Sequence, residues 1–146
     1  MGMVNTEITL KNVFDEGKMA EGLIKEEDVR SVTVTAIVDT GSMYLVINEE
    51  LRQKLGLGLK EERTARVASG EKVKCRATEA VEIHWKNRST VCPAIVIPGA
   101  QSVLFGAIPM EAMDLAVNPV TQEVIGAHGD EVMTYCYFYK FQHNTA

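Results

Sequence analysis

The stretch of sequence that decides the fold is Ala36-Ile37-Val38-Asp39-Thr40-Gly41-Ser42, an apolar run that ends in an Asp-Thr-Gly-Ser turn. The residues that lead into it, 31–38, are rich in Val, Thr and Ile, which predicts a β-strand that delivers Asp39 to the turn. A carboxylate at the end of a buried strand loses hydration, and acid/base chemistry can be built at such positions. The turn sequence occurs once in the chain.

The bulk composition predicts one soluble globular domain. The chain has 146 residues, of which 46% are hydrophobic and 24% charged, as expected for a single core. A net charge of -5 without a basic patch argues against a nucleic-acid partner. The N-terminus has no targeting pattern and no window approaches a membrane span, so we expect a cytoplasmic protein without a membrane partner. Cys75, Cys92 and Cys136 are widely spaced, which predicts reduced thiols.

The segments around the turn predict further strands and a capped helix. An alternating stretch at 8–13 predicts a strand, and the acidic stretch 15–28 predicts a loop or a short helix. After an apolar run at 45–47, Asn48 can cap a short helix that Gly56 ends.

From residue 63 onward the pattern is mostly that of strands. Strands are predicted at 63–68 and 72–85, on either side of a tight turn at 69–71, and again at 90–97 and 122–127. A short apolar run at 102–106 ends in Gly106, and a compact helix is predicted at 109–115, with Pro109 in its first turn.

This order of parts resembles the retropepsin-like aspartic peptidases, and more closely their small bacterial and archaeal members than the viral enzymes. The resemblance covers residues 6–127, where Gly70 lies 31 residues and Gly106 lies 67 residues after Asp39. It implies a mostly β fold, a single-lobe closed β-barrel with one or two short helices that forms a two-fold homodimer. Residues 128–146 are a C-terminal aromatic-rich extension beyond that domain.

The resemblance implies roles for the residues of the turn. Asp39 is the catalytic carboxylate, and the hydroxyl of Thr40 would hydrogen-bond to the partner's turn. Gly41 would give the turn access to positive φ and leave room for substrate. Ser42 would donate to the outer oxygen of the carboxylate, and Gly106 would allow close packing against the catalytic loop. None of these roles needs a metal or an organic cofactor.

The resemblance also implies a flap and marks two departures. The hairpin tip Ala68-Ser69-Gly70 would close over the substrate, and Met43 would line a subsite. Many viral members carry an Asp at the position of Met43, paired with an Arg at the position of Ala107. Because both partners of that ion pair are replaced together, no buried charge is left unpaired.

A single catalytic turn implies two chains, because this chemistry needs two carboxylates that share a proton. Asp114 lies in the last predicted helix and Asp130 has no Thr-Gly after it, so the second carboxylate is expected to be Asp39 of another copy. The predicted function is an aspartic endopeptidase acting on an extended peptide or protein. The alternative is a catalytically silent peptide-binding or dimerisation module on the same fold.

The histidines and the aromatic C-terminal run are interpreted as structural residues. His84, His128 and His143 have no metal-ligand partner three or four residues away on a plausible helix, so no metal site is expected. The aromatic run 135–141 is interpreted as a last strand, packed either on its own lobe or against the second protomer.

Overall fold

A computed structural model of the chain describes residues 3–136. Within this part, the strands are β1 Asn5–Asn12, β2 Ser31–Val38, β3 Leu45–Ile47, β4 Leu59–Arg66, β5 Lys72–Trp85, β6 Arg88–Val96, β7 Val103–Phe105, β8 Leu115–Asn118 and β9 Glu123–Gly126. The helices of the same residues are α1 Val13–Ala20, α2 Glu49–Leu55 and α3 Ala107–Ala112, with a 3-10 turn at Glu26–Asp28. The mostly β prediction is confirmed.

Six strands close into a barrel in the order β1-β2-β7-β3-β6-β5, because β5 pairs back onto β1. β4 is a further strand that pairs with the first half of β5, and β8 and β9 form a separate hairpin. Alternate residues of the barrel strands point inward and form the core, among them Leu10, Leu45, Ile83 and Phe105, each less than 2% exposed. The closed barrel was expected from the resemblance.

Local sequence accounts for α2 and for the β4–β5 hairpin. The side chain of Asn48 accepts a hydrogen bond from the N–H of Leu51 at 2.8 Å, and Gly56 ends α2 in the left-handed region at φ +66°. Gly70 adopts φ +88° at the hairpin tip, which an L side chain rarely adopts. The predicted helix cap and the predicted turn at 69–71 are therefore confirmed.

Two helix predictions are wrong in detail. The described residues contain three α-helices rather than one or two. The last helix spans Ala107–Ala112 rather than 109–115, because Asp114 adopts φ +53° and turns the chain so that Leu115 begins β8. Periodicity alone did not separate the end of this helix from the strand that follows it.

The C-terminal residues that are described contact the start of the β8–β9 hairpin, where the N–H of Met133 donates to Asp114, the residue before β8. Residues 132–136 have no regular secondary structure, and the rest of the aromatic run, 137–141, lies outside the described residues.

Cys75 and Cys92 are buried free thiols and Cys136 is exposed. Among residues 3–136, no helix is long and apolar enough to cross a membrane.

Candidate active site

The Asp-Thr-Gly-Ser turn is built around β7, which lies between the two strands that lead into and out of the turn. β7 pairs in parallel with β2, opposite Val38 and its neighbours, and antiparallel with β3 on its other side. The N–H of Asp39 donates to the carbonyl of Phe105 at 3.0 Å, and the N–H of Ser42 donates back to the carbonyl of Asp39 at 3.0 Å. The position of the carboxylate is therefore set by the sheet.

The Asp39 side chain is partly buried and is oriented from both sides. The N–H of Gly41 donates to its Oδ1 at 3.0 Å, and the hydroxyl of Ser42 donates to its Oδ2 at 3.2 Å. Both carboxylate oxygens thus accept a hydrogen bond from the turn itself, which limits rotation of the carboxylate. The hydrogen bond expected from Ser42 is present.

The role of Gly41 in the turn depends on its lack of a side chain and not on its φ angle. The expectation of positive φ at Gly41 is wrong, since the glycines with positive φ in residues 3–136 lie elsewhere. A Cβ at this position would lie 3.1 Å from Oδ1 of Asp39, closer than nine in ten real Cβ contacts. The absence of a side chain therefore keeps the space next to the carboxylate open.

Gly106 packs directly against the loop that follows the turn. A Cβ there would lie 2.3 Å from the carbonyl oxygen of Tyr44 and 2.7 Å from that of Ser42, at a backbone angle that any residue could adopt. The N–H groups of Ala107 and Ile108 then donate to the carbonyls of Ser42 and Met43, both at 2.8 Å. Close packing without a side chain is what the sequence predicted for Gly106.

A cavity of about 330 Å³ lies between the Asp-Thr-Gly-Ser turn and strand β4. Its lining includes Gly41, Ser42 and Met43 from the turn, together with Tyr44 and the β4 segment 63–66. Met43 therefore lies on the wall of this cavity, and its role as a subsite residue stays a prediction. Ala68, Ser69 and Gly70 are exposed at the hairpin tip and do not line this cavity.

Sequence reasoning missed the walls of this cavity. Tyr44 follows Met43 directly, and the guanidinium of Arg63 lies 5.5 Å from the centre of its ring. Arg63 and Ala65 are partly buried while their neighbours in β4 are exposed, so the period-two pattern of this strand carried a signal. That pattern could not show which element β4 faces.

The carboxylate of Asp114 has contacts of its own. Asp114 is buried, and its carboxylate lies 2.8 Å from the imidazole of His128 and accepts from the N–H of Met133 at 2.9 Å. These two contacts, the backbone one first, hold the pKa of Asp114 below its ordinary value. Asp130 is exposed. Neither is paired with Asp39 in the described part of the chain.

A closed β-barrel that presents one oriented aspartate in an Asp-Thr-Gly-Ser turn defines the class of protein. Residues 26–114 match the sequence model of a family described as Aspartyl protease. Because this match spans more than half of the 146 residues, the chain belongs to that family. The resemblance to aspartic peptidases that the sequence showed is therefore confirmed.

Comparison with other proteins adds two findings. The chain is similar to a solved retropepsin-like aspartic protease from Rickettsia conorii, with 19% identity, a TM-score of 0.46, and coverage of 80% of this chain and 88% of that one. This similarity assigns no function to any residue of this chain. No curated protein matches the sequence.

Proposed function

We propose that the protein is an aspartic endopeptidase whose active form is a two-fold homodimer with one Asp39 from each protomer. The observation that carries the proposal is the Asp39 carboxylate itself, held by the Gly41 N–H and the Ser42 hydroxyl beside an open cavity. Membership in the aspartyl protease family supports it.

The chemistry proceeds by general acid/base catalysis on a water molecule. One carboxylate of the pair is ionised and takes a proton from the water, whose oxygen attacks the scissile carbonyl carbon. The other carboxyl group donates its proton to the carbonyl oxygen, so that a neutral tetrahedral diol forms. Proton transfer to the amide nitrogen then allows the C–N bond to break, and the carboxylates regain their shared proton.

The surface next to the turn supports a dimer. Thr40 is exposed at the turn and lies at the edge of a second depression of about 450 Å³. The depression is lined mainly by apolar residues, including Val4, Val38, Met110 and Val117. An apolar surface beside a half-complete active site is suited to burial against a second copy. In that dimer the Thr40 hydroxyls would hydrogen-bond across the two-fold axis.

The shape of the sheet supports an extended peptide as the substrate. β4 is the terminal strand of the barrel sheet, and it forms one wall of the cavity beside the turn. An extended peptide could lie in this cavity and pair its backbone with an exposed strand edge. The β4–β5 hairpin, with Ala68, Ser69 and Gly70 at its tip, would close over it. The cytoplasmic location expected from the sequence stays a prediction that cell fractionation tests.

The decisive experiment compares native protein with Asp39→Asn in a peptide-library cleavage assay between about pH 3 and 8. The native protein should cleave with a bell-shaped acidic pH profile and sediment as a dimer at micromolar concentration. Asp39→Asn should sediment alike and show no cleavage. Asp130→Asn is the matched control, since it removes an exposed carboxylate, and it should cleave normally.

Thermal melts of the same variants separate a catalytic role from a structural one. In Asp39→Asn the amide oxygen can still accept from Gly41, and the amide nitrogen can donate to the hydroxyl of Ser42. Loss of two close carboxylates also relieves repulsion in the dimer, so the melting temperature should be equal or higher near neutral pH. An Asp39→Asn protein that still cleaves contradicts the proposal, and native protein that binds peptides without cleaving them establishes the silent module instead.

A further inference from the structure

Three side chains with metal-binding atoms converge where α1 packs on the barrel, away from the catalytic turn. Glu82 and His84 lie two residues apart in β5, and Glu16 lies in the first half of α1. One ligand atom from each lies within 4.8 Å of the others, and all three residues are partly buried. Because Ile83 between them is fully buried in the core, Glu82 and His84 share the outer face of the sheet.

The imidazole of His84 has an unsatisfied nitrogen at this position. Its Nε2 lies 2.7 Å from a carboxylate oxygen of Glu82, and yet their relative orientation does not make a hydrogen bond. The atom is closed off from solvent and finds no hydrogen-bond partner among residues 3–136. Either a protonated imidazole paired with Glu82 or a cation bound between the two side chains would satisfy this atom, and the third carboxylate, that of Glu16, favours the cation.

The fold holds these three residues together through the cap of α1 and the pairing of β1 with β5. Asn12, the last residue of β1, caps α1 by accepting from the N–H of Asp15 at 3.0 Å and donates to the carbonyl of Leu55 at 2.8 Å. The register of β1 with β5 sets Lys11 opposite Glu82. The start of α1 is thereby fixed over the part of β5 that carries Glu82 and His84.

We propose that Glu16, Glu82 and His84 form a zinc-binding site that joins α1 to the barrel. One imidazole and two carboxylates are ligands that Zn²⁺ accepts, and the two carboxylates balance its charge. Ligand atoms about 2.0–2.2 Å from a tetrahedral zinc lie roughly 3.3–3.5 Å apart. This separation falls between the 2.7 Å of the Glu82–His84 contact and the 4.8 Å within which all three ligand atoms lie. Mg²⁺ and Ca²⁺ prefer all-oxygen sites, so the imidazole selects against them.

The site acts on stability and not on peptide chemistry. Thr9, which is opposite His84, pairs with Thr33 near the start of β2, whereas Asp39 follows the end of that strand. Asp39 lies six residue steps along the chain from Thr33, a span of about 20 Å. A zinc ion bound here would therefore stabilise the contact of α1 with β5 without reaching the catalytic carboxylates.

The test uses full-length protein freed of metal by a chelator and titrated with ZnCl₂ in a calorimeter. We expect one zinc per chain and a melting temperature that rises with zinc and falls again on addition of EDTA. Glu16→Gln, Glu82→Gln and His84→Gln should each weaken binding by more than about tenfold. Glu123→Gln, which changes an exposed glutamate on β9, is the matched control and should bind zinc like the native protein.

The coordination is checked with Co²⁺ on the native protein, which does not depend on any variant folding. A tetrahedral visible spectrum without a thiolate charge-transfer band supports the site, and its loss in His84→Gln assigns the nitrogen ligand. A thiolate band, unchanged zinc affinity in all three variants, or no zinc binding up to about millimolar concentration overturns the proposal. Because EDTA should leave peptide cleavage unaffected, the outcome is independent of the proposed endopeptidase activity.

Discussion

Gly106→Ala should disrupt the loop that follows the Asp-Thr-Gly-Ser turn. The new Cβ would lie 2.3 Å from the carbonyl oxygen of Tyr44, 2.7 Å from that of Ser42 and 2.9 Å from the carbonyl carbon of Met43. All three are backbone atoms, so no side-chain rotation relieves the overlap, and either α3 or the loop after the turn must move.

The expected loss of stability follows from these contacts. Overpacking in a tight interior costs about 1–3 kcal/mol. A shift of α3 also weakens the hydrogen bonds from Ala107 and Ile108 to the catalytic loop, at about 1 kcal/mol each. A total of about 3–5 kcal/mol corresponds to a fall in melting temperature of roughly 6–20 °C for a chain of this size. Peptide cleavage should fall with it, because Ser42 orients Asp39.

The assay is a thermal melt at fixed protein concentration combined with peptide cleavage below the melting temperature. Gly17→Ala in α1 is the matched control, since its added Cβ meets no atom within 4 Å. A helix interior favours Ala over Gly by about 0.5–1 kcal/mol, so this variant should melt slightly higher and cleave normally. If Gly106→Ala melts and cleaves like the native protein, the close packing inferred for Gly106 is wrong.

Two further predictions concern acid stability and the flap. The Arg30 guanidinium beside Asp15 holds the pKa of that carboxyl at about 2, below its ordinary 3.8, so the pair stabilises the fold above about pH 4 and loses this effect as the pH falls towards 2. The difference in melting temperature between native protein and Asp15→Asn should accordingly shrink over that range, and a constant difference contradicts the assignment. Gly70→Ala and Gly99→Ala both place a side chain at positive φ in open space, at about 1–2 kcal/mol each. Only Gly70→Ala should lower kcat/KM, and equal activities argue against a flap.

The relation between sequence and structure is clearest in the Asp-Thr-Gly-Ser turn. The strand 31–38, the turn after it and the capped helix α2 depend on neighbours a few residues apart, so β-propensity, capping and a left-handed glycine at Gly56 predicted them. The turn at Gly70 was predictable for the same reason. The ends of α3 were not, because the reversal at Asp114 depends on partners from the C-terminal segment, His128 and Met133.

What the sequence by itself determined is the barrel class, the single Asp-Thr-Gly-Ser turn with Asp39, and the Ser42 hydroxyl that donates to its carboxylate. The tertiary structure decided the rest: the insertion of β7 between the two arms of the turn, the cavity wall formed by β4, and the approach of Glu16 to His84. These depend on strand closure between segments far apart in the chain. Local propensity does not specify such pairings, because many registers satisfy the same alternation until a shared core selects one.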